Sequence, residues 1–157
     1  MDEAPPASEA ELDLLEHQVD GWLRTFLAEN ELCVAVDRGE RGERRWFVRM
    51  RGEDKDFTTV WLRLGQRALH VETYVMPAPE EDHARFYEHL LRRNRSTHGL
   101  WFCIGEEDAV FLVGQLPLGV LDEANLDRIL GSAWTYVEHF FRPALRIGFA
   151  SRFRDSR

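Results

Sequence analysis

The sequence holds only two cysteines and one lysine in 157 residues, and no apolar run approaches the roughly 18 residues that a bilayer-crossing helix needs. Each scarcity excludes a class of protein. Cys33 and Cys103 stand alone in the apolar segments LCVAV and LWFCI with no CxxC pair, so they read as small buried thiols, not as a disulfide framework or redox centre. The opening MDEAPPASEAE lacks the basic and apolar regions of a secretory signal, which makes the cytoplasm the expected compartment, with no membrane partner.

Catalytic motifs are equally scarce. None of the five serines, at 8, 96, 132, 151 and 156, lies in a G-x-S-x-G elbow, and no G-x-x-x-x-G-K-[ST] or G-x-G-x-x-G loop is present to cradle phosphate. The densest group of reactive side chains is EEDHARFYEHLLRRNR, residues 80–95. His83 and His89 are six residues apart there, which at about 100° per residue turns them about 120° from each other around a helix. They cannot close on one ion, and no H-E-x-x-H spacing exists. The stretch reads instead as a helix opening at Pro79, with Glu80, Glu81 and Asp82 in its first turn and both histidines on a solvated face. Glu81 and Glu88 precede Arg85 and Arg92 by four residues, while Phe86, Leu90 and Leu91 supply the buried side. No catalytic residue, metal or cofactor is expected, and the chain does not read as an enzyme.

Basic charge is in deficit too, with a formal net charge of -8. Asp2, Glu3, Glu9, Glu11, Asp13 and Glu16 supply six negatives in the first 16 residues, which leaves about -2 on residues 17–157. That balance excludes the concentrated basic field of a nucleic-acid-binding protein, despite the mixed aromatic and basic segment RWFVRMR and an arginine-rich tail.

What is present is periodicity. Ser8 and Glu11 form an S-x-x-E capping box, followed by Leu12, Leu15, Val19, Trp22 and Phe26 at helical steps, with Leu23 and Leu27 widening the stripe and Asn30 a stop. Four short strand-like runs come next: LCVAV, RWFVRM, TTVWLRL and LHVETYVM, linked by turns that contain Gly39, Gly42, Gly52 and Gly65. After the helix of residues 80–95, a hairpin runs through LWFCI, turns at GEED and returns through AVFLVGQLPL. Both alternating sets are apolar there, which predicts central strands covered on both faces, the second cover being another subunit. Asp122 caps a last helix with Leu126, Leu130, Ala133, Val137, Phe140 and Ala144 on its buried side, and Pro143 is expected to bend or end it.

In the third and fourth strands, pairing Leu64 with Leu69 aligns Leu62 with Val71 and Val60 with Thr73 on one face. The opposite face then carries Trp61, Arg63, His70, Glu72 and Tyr74. Aromatic bodies with hydrogen-bonding ends suit a recognition surface, so these five are the candidate partner-binding residues. A diagonal pairing of Arg63 with Glu72 on an ordinary half-exposed strand face is the plainer reading.

The MPAPEE entry to the middle helix, Leu90, Leu91 and Asn94 near its end, Trp101 and Phe102 in the next strand, and QLPLG with Leu121 together resemble the YbjN-like family. Its fold is similar to that of type III secretion chaperones. The likeness spans about residues 10–147, and RRNRST departs from the more apolar or asparagine-rich segment common in that family. The resemblance implies an α+β fold, order α-β-β-β-β-α-β-β-α, in which helices pack on one face of a twisted antiparallel sheet. It also implies a homodimer that binds a protein or peptide partner without turnover, as a chaperone-like or regulatory module. The domain plan is a flexible acidic leader at 1–8, a single domain at 9–149 and a flexible arginine-rich tail at 150–157. The alternative is a small-molecule-binding or enzymatic domain with His70 and Glu72 in a pocket between sheet and helices.

Overall fold

Ser8 opens the first helix as its capping signature requires: its hydroxyl oxygen accepts the Glu11 N–H at 3.2 Å. The computed structural model describes residues 4–154, with the backbone alone for Arg154. Helix α1 (Glu9–Glu29) leads into strands β1 (Cys33–Arg38), β2 (Arg45–Arg51), β3 (Phe57–Leu64) and β4 (Ala68–Met76). Then follow α2 (His83–Asn94), β5 (Leu100–Ile104), β6 (Val110–Pro117), α3 (Glu123–Gly148) and a short α4 (Ala150–Arg154). The six strands form one antiparallel sheet in the order β1-β2-β3-β4-β6-β5. This is the expected α+β architecture, and the Leu64–Leu69, Leu62–Val71 and Val60–Thr73 register is as the hydrophobic pattern demands.

One face of the sheet carries the core. Trp46, Val48, Met50, Val60, Leu62, Leu69 and Val71 are buried against the helices. Helix α3 lies across the middle, reaching β3, β4, β5 and β6 as well as α1 and α2, and buries Leu126, Leu130, Ala133, Val137, Phe140 and Ala144. Each fully buried aliphatic side chain contributes about 1.5–3 kcal/mol, so α3, which buries more residues than α1 or α2, contributes the most of the helices to the hydrophobic stabilisation. That burial also explains why Pro143 does not end the helix. Its missing N–H and crowded ring cost about 3 kcal/mol, yet the helix continues to Gly148 because Ala144 and Ile147 stay buried beyond the proline.

Other expectations need correcting. Helix α2 starts at His83, not Pro79, because Asp82 takes a left-handed conformation at φ 52°. This turn lets the N–H groups of Glu80 and Glu81 donate to the Gly148 carbonyl at 2.9 and 3.1 Å, joining the entry of α2 to the end of α3. A β-carbon on Gly148 would stand 2.8 Å from Pro79 and Phe86, so the close approach needs glycine. Leu91 and Leu27, placed on buried stripes by their spacing, are 69% and 38% exposed. His89 leaves the solvated face: its ring stacks on Phe140 at 5.6 Å, with Nε2 buried and unpartnered. His83 is exposed as expected. Strand β5 is an edge, not a central strand.

The acidic start of the chain is less separate than its charge run implies. Arg44 binds Asp13 at 2.6 Å and Glu9 at 3.1 Å, while Arg38 binds Asp20 at 2.8 Å and Glu16 at 3.1 Å. The acidic side of α1 thus neutralises the β1–β2 hairpin. Burial raises the pKa of Asp20, but hydrogen bonds from the Trp46 indole and Arg38 outweigh it and hold the carboxyl below its ordinary value. In the leader, the Ala7 N–H donates to the Gln66 carbonyl and Arg67 donates to the Ala4 carbonyl. At the other end, residues 150–154 of the expected tail are helical, and Arg152 pairs with Glu80. Residues 1–3 and 155–157 lie outside the described residues.

Two side chains fix strands from a distance. Glu138 of α3 is 7% exposed, and its carboxylate accepts the N–H groups of Glu53, Asp54 and Lys55 at 3.0, 2.7 and 3.5 Å, tying down the β2–β3 turn. A β-carbon on Gly52 would collide with that carboxylate and the Lys55 carbonyl. Asn94 does the same for the edge strand: its amide donates to the Phe102 carbonyl at 3.0 Å and accepts the Phe102 N–H at 2.7 Å. Replacing Glu138→Ala strands three backbone donors and is expected to cost about 2–4 kcal/mol in denaturant unfolding. A loss under about 1 kcal/mol contradicts the tie. Asn94→Ala, which uncovers both polar groups of Phe102, is expected to cost about 1–3 kcal/mol by the same measurement.

Candidate functional site

Helices cover only one side of the sheet, so the alternate side chains of each strand stand on the other. Pairing across five strands arranges them in rows. Phe47, Trp61, Glu72, Val113 and Trp101 lie side by side, one from each of β2, β3, β4, β6 and β5. At a strand spacing of about 4.8 Å this row spans about 19 Å. The next row is Arg45, Arg63, His70 and Gln115, and on the other side lie Tyr74, Phe111 and Cys103. Trp61, Trp101 and Tyr74 are 42%, 47% and 38% exposed, so an aromatic face is open to solvent.

The aromatic groups are held in place by edge-on contacts. Phe47 meets Trp61 with ring centroids 6.3 Å apart at 80°, and Tyr74 meets Phe111 at 5.7 Å and 82°. Arg49 lies over Phe57 at 3.9 Å, and Lys55 lies over Tyr74 at 5.2 Å. Rings fixed this way lose little side-chain freedom when something packs on them, which favours binding.

Electrostatics divide the face. Arg45 and Arg63 are directly opposite each other, an unfavourable arrangement of like charges, and His70 faces Arg63 from β4. Partial burial, followed by the charge of Arg63, lowers the pKa of His70 below its ordinary value of 6.5. A shallow hollow of about 310 Å³ opens among Arg45, Phe47, Trp61, Arg63, His70 and Glu72. It has positive charge on one flank, an aromatic wall and the Glu72 carboxylate on the other.

Four of the five residues singled out in the sequence, Trp61, Arg63, His70 and Glu72, therefore line one hollow, while Tyr74 sits a row away against Phe111. The register opposes Arg63 to His70 and Trp61 to Glu72. His70 and Glu72 point away from the helices, so the alternative of a pocket holding them between sheet and helices has no place in this fold. Arg45, Phe47, Val113 and Trp101 belong to the same face and escaped the sequence reading. The alternation of RWFVRMR already sets Arg45, Phe47 and Arg49 on one side of β2, but not which side of the sheet that is. Trp101 was hidden because an apolar set facing outward looks like an apolar set facing a second layer.

A family model described as "YbjN: Putative bacterial sensory transduction regulator" matches residues 20–146. An uncharacterized protein of Mycobacterium leprae is 34% identical over 107 residues, which cover 68% of this chain and 58% of that protein. Uncharacterized proteins of Mycobacterium bovis and Mycobacterium tuberculosis are 34% identical over 104 residues, 66% of this chain and 57% of each relative. The match thus spans less than two thirds of the relatives' own length. Among solved structures, a chain of the heterodimeric complex ExoU-SpcU from the type III secretion system of Pseudomonas aeruginosa superposes with a TM-score of 0.50. It is 11% identical, with 80% of this chain and 98% of that chain covered, a likeness of fold.

The electrostatics of the face are open to titration. His70 is expected to titrate below 6.5 in NMR spectra, and Arg63→Gln is expected to move its midpoint upward. A folded-state value below the unfolded one means His70 contributes stability that is complete above pH 6.5 and lost as pH falls through the lowered value. A midpoint at or above 6.5, or one indifferent to Arg63, contradicts the placement.

Proposed function

The chain belongs to the YbjN family, and from that premise we propose that it is a non-enzymatic polypeptide-binding module, chaperone-like or regulatory, that works as a homodimer in the cytoplasm. Residues 9–149 act as one domain. The observation that carries the reading is the open face with its row Phe47, Trp61, Glu72, Val113 and Trp101. Trp61, Arg63, His70, Glu72 and Tyr74 are its partner-binding residues, and the first occupant of the face is a second copy of the chain.

Binding proceeds by burial of apolar side chains. Each large aromatic group removed from water contributes about 1.5–3 kcal/mol, before the cost of association, and clustered aromatic groups make the strongest contacts. Strand addition at β5 is obstructed, since Asn94 already occupies the outward N–H and C=O of Phe102. The face, not the β5 edge, is therefore the productive surface. Arg45, Arg63 and Glu72 supply charges of both signs around it, which fixes orientation more than affinity. A fold like this one serves in a heterodimeric complex in ExoU-SpcU, and the use proposed here is of that kind.

Sedimentation equilibrium at micromolar concentration tests the reading. The wild-type protein is expected at twice its 18.4 kDa chain mass, and the double variant Trp61→Glu, Trp101→Glu at the single mass with an unchanged far-ultraviolet circular dichroism spectrum. A monomeric wild type contradicts the homodimer, and a double variant that stays dimeric moves the interface off this face.

A further inference from the structure

At the C-terminal end of β4, away from the aromatic row, a cavity of about 320 Å³ opens between the strand and the helices. Its walls are Val75, Met76, Phe141, Leu145 and Phe149. Lys55, the single lysine of the chain, and Arg152 line it as well. The volume is at the lower end of the roughly 300–1,000 Å³ typical of ligand sites. An apolar chamber with cationic groups has the chemistry of a site for an amphiphile with an anionic head.

The cations are not equivalent. Arg152 is paired with Glu80, and Arg142 of α3 is paired with Asp54 at 3.1 Å. Lys55 Nζ donates to the Tyr74 carbonyl at 2.8 Å and lies over the Tyr74 ring. An ammonium has three donors, so two of them are not taken by that carbonyl. Glu138 is the acidic group of α3 that attracts Lys55, but its oxygens already accept the N–H groups of residues 53–55. Burial pushes the Lys55 pKa down to about 8, with Glu138 pulling the other way. The fold has thus placed the amine in a largely apolar surrounding without giving it, among the described residues, a carboxylate of its own.

We propose that this cavity binds a medium-chain carboxylate, with the alkyl chain against Met76, Phe141 and Leu145 and the head group on the Lys55 ammonium. The cavity shares Tyr74 with the partner-binding residues but includes none of the row Phe47, Trp61, Glu72, Val113 and Trp101, and it does not depend on that reading. An anion beside Lys55 favours the protonated amine, so binding above the lowered pKa takes up protons and weakens as pH rises further. Besides Glu138, the charged or titratable groups that line the cavity are Tyr74 and Arg152, the latter paired with Glu80, and Asp54, next to Lys55 in the chain, is paired with Arg142.

Titration calorimetry with decanoate, below its micelle concentration, tests this on the full chain. Decanoate is expected to bind saturably, and octanoate roughly tenfold more weakly, since each buried methylene contributes about 0.8 kcal/mol. Decanol, which lacks the anion, is expected to bind at least about tenfold more weakly than decanoate, as for a lost charged hydrogen bond. Lys55→Met removes that preference without weakening decanol. Leu145→Trp fills the chamber and abolishes both, with unchanged circular dichroism. At a pH about half a unit above the lowered value of Lys55, comparison of two buffers of different ionisation enthalpy is expected to show proton uptake with decanoate alone. Absence of saturable binding at millimolar decanoate, equal binding of decanoate and decanol, or an unaltered preference in Lys55→Met overturns the proposal.

Discussion

The fold depends on a mismatch between its layers: six antiparallel strands are covered by helices on one side only. A strand sends successive side chains to opposite faces, so burying Val60, Leu62 and Val71 under α3 obliges Trp61, Arg63, Glu72 and their neighbours to stand on the other side. Nothing within the described residues is layered over that second face. An aromatic surface of this kind is costly in water unless something covers it, which is the ground for proposing the exposed row as a binding surface.

Helix α3 supplies the covering layer and more. By holding the β2–β3 turn through Glu138, it sets the register of β2 against β3, and that register places Phe47 beside Trp61 and Arg45 beside Arg63. The geometry of the open face is thus determined partly from the opposite side of the sheet. The same turn carries Lys55 out to the end of β4, where it meets the apolar cavity under α3 and α4. Around the sheet's other margin, α1 uses Glu9, Asp13, Glu16 and Asp20 to neutralise Arg38 and Arg44. Such exposed pairs contribute only about 0–1 kcal/mol each, so they orient the hairpin more than they stabilise it.

Local signals in the sequence account for most of the architecture. The Ser8 cap, the Asp122 cap and the β3–β4 register are each decided by residues close in the chain, and each is present in the structure. What escaped was decided at long range. The Pro143 break is overridden by burial further along α3, and the start of α2 is moved by the Gly148 carbonyl, 67 residues beyond Glu81. Spacing alone puts His89 in solvent, whereas Phe140 captures it from another helix. The candidate site was half legible for the same reason. Trp61, Arg63, His70, Glu72 and Tyr74 follow from one hairpin, but Phe47 and Trp101 join them only through strands whose order no local pattern reveals.

The account stands on the exposed row being a surface that is covered when the protein works. Hydroxyl-radical footprinting read by mass spectrometry, at rising protein concentration, addresses this residue by residue. Trp61 and Trp101 are expected to lose reactivity together as the concentration rises, while Leu14 and Leu91, 61% and 69% exposed on the helical side, keep theirs. Reactivity of both tryptophans that stays constant at every concentration, or protection that appears at Leu14 and Leu91 instead, contradicts it.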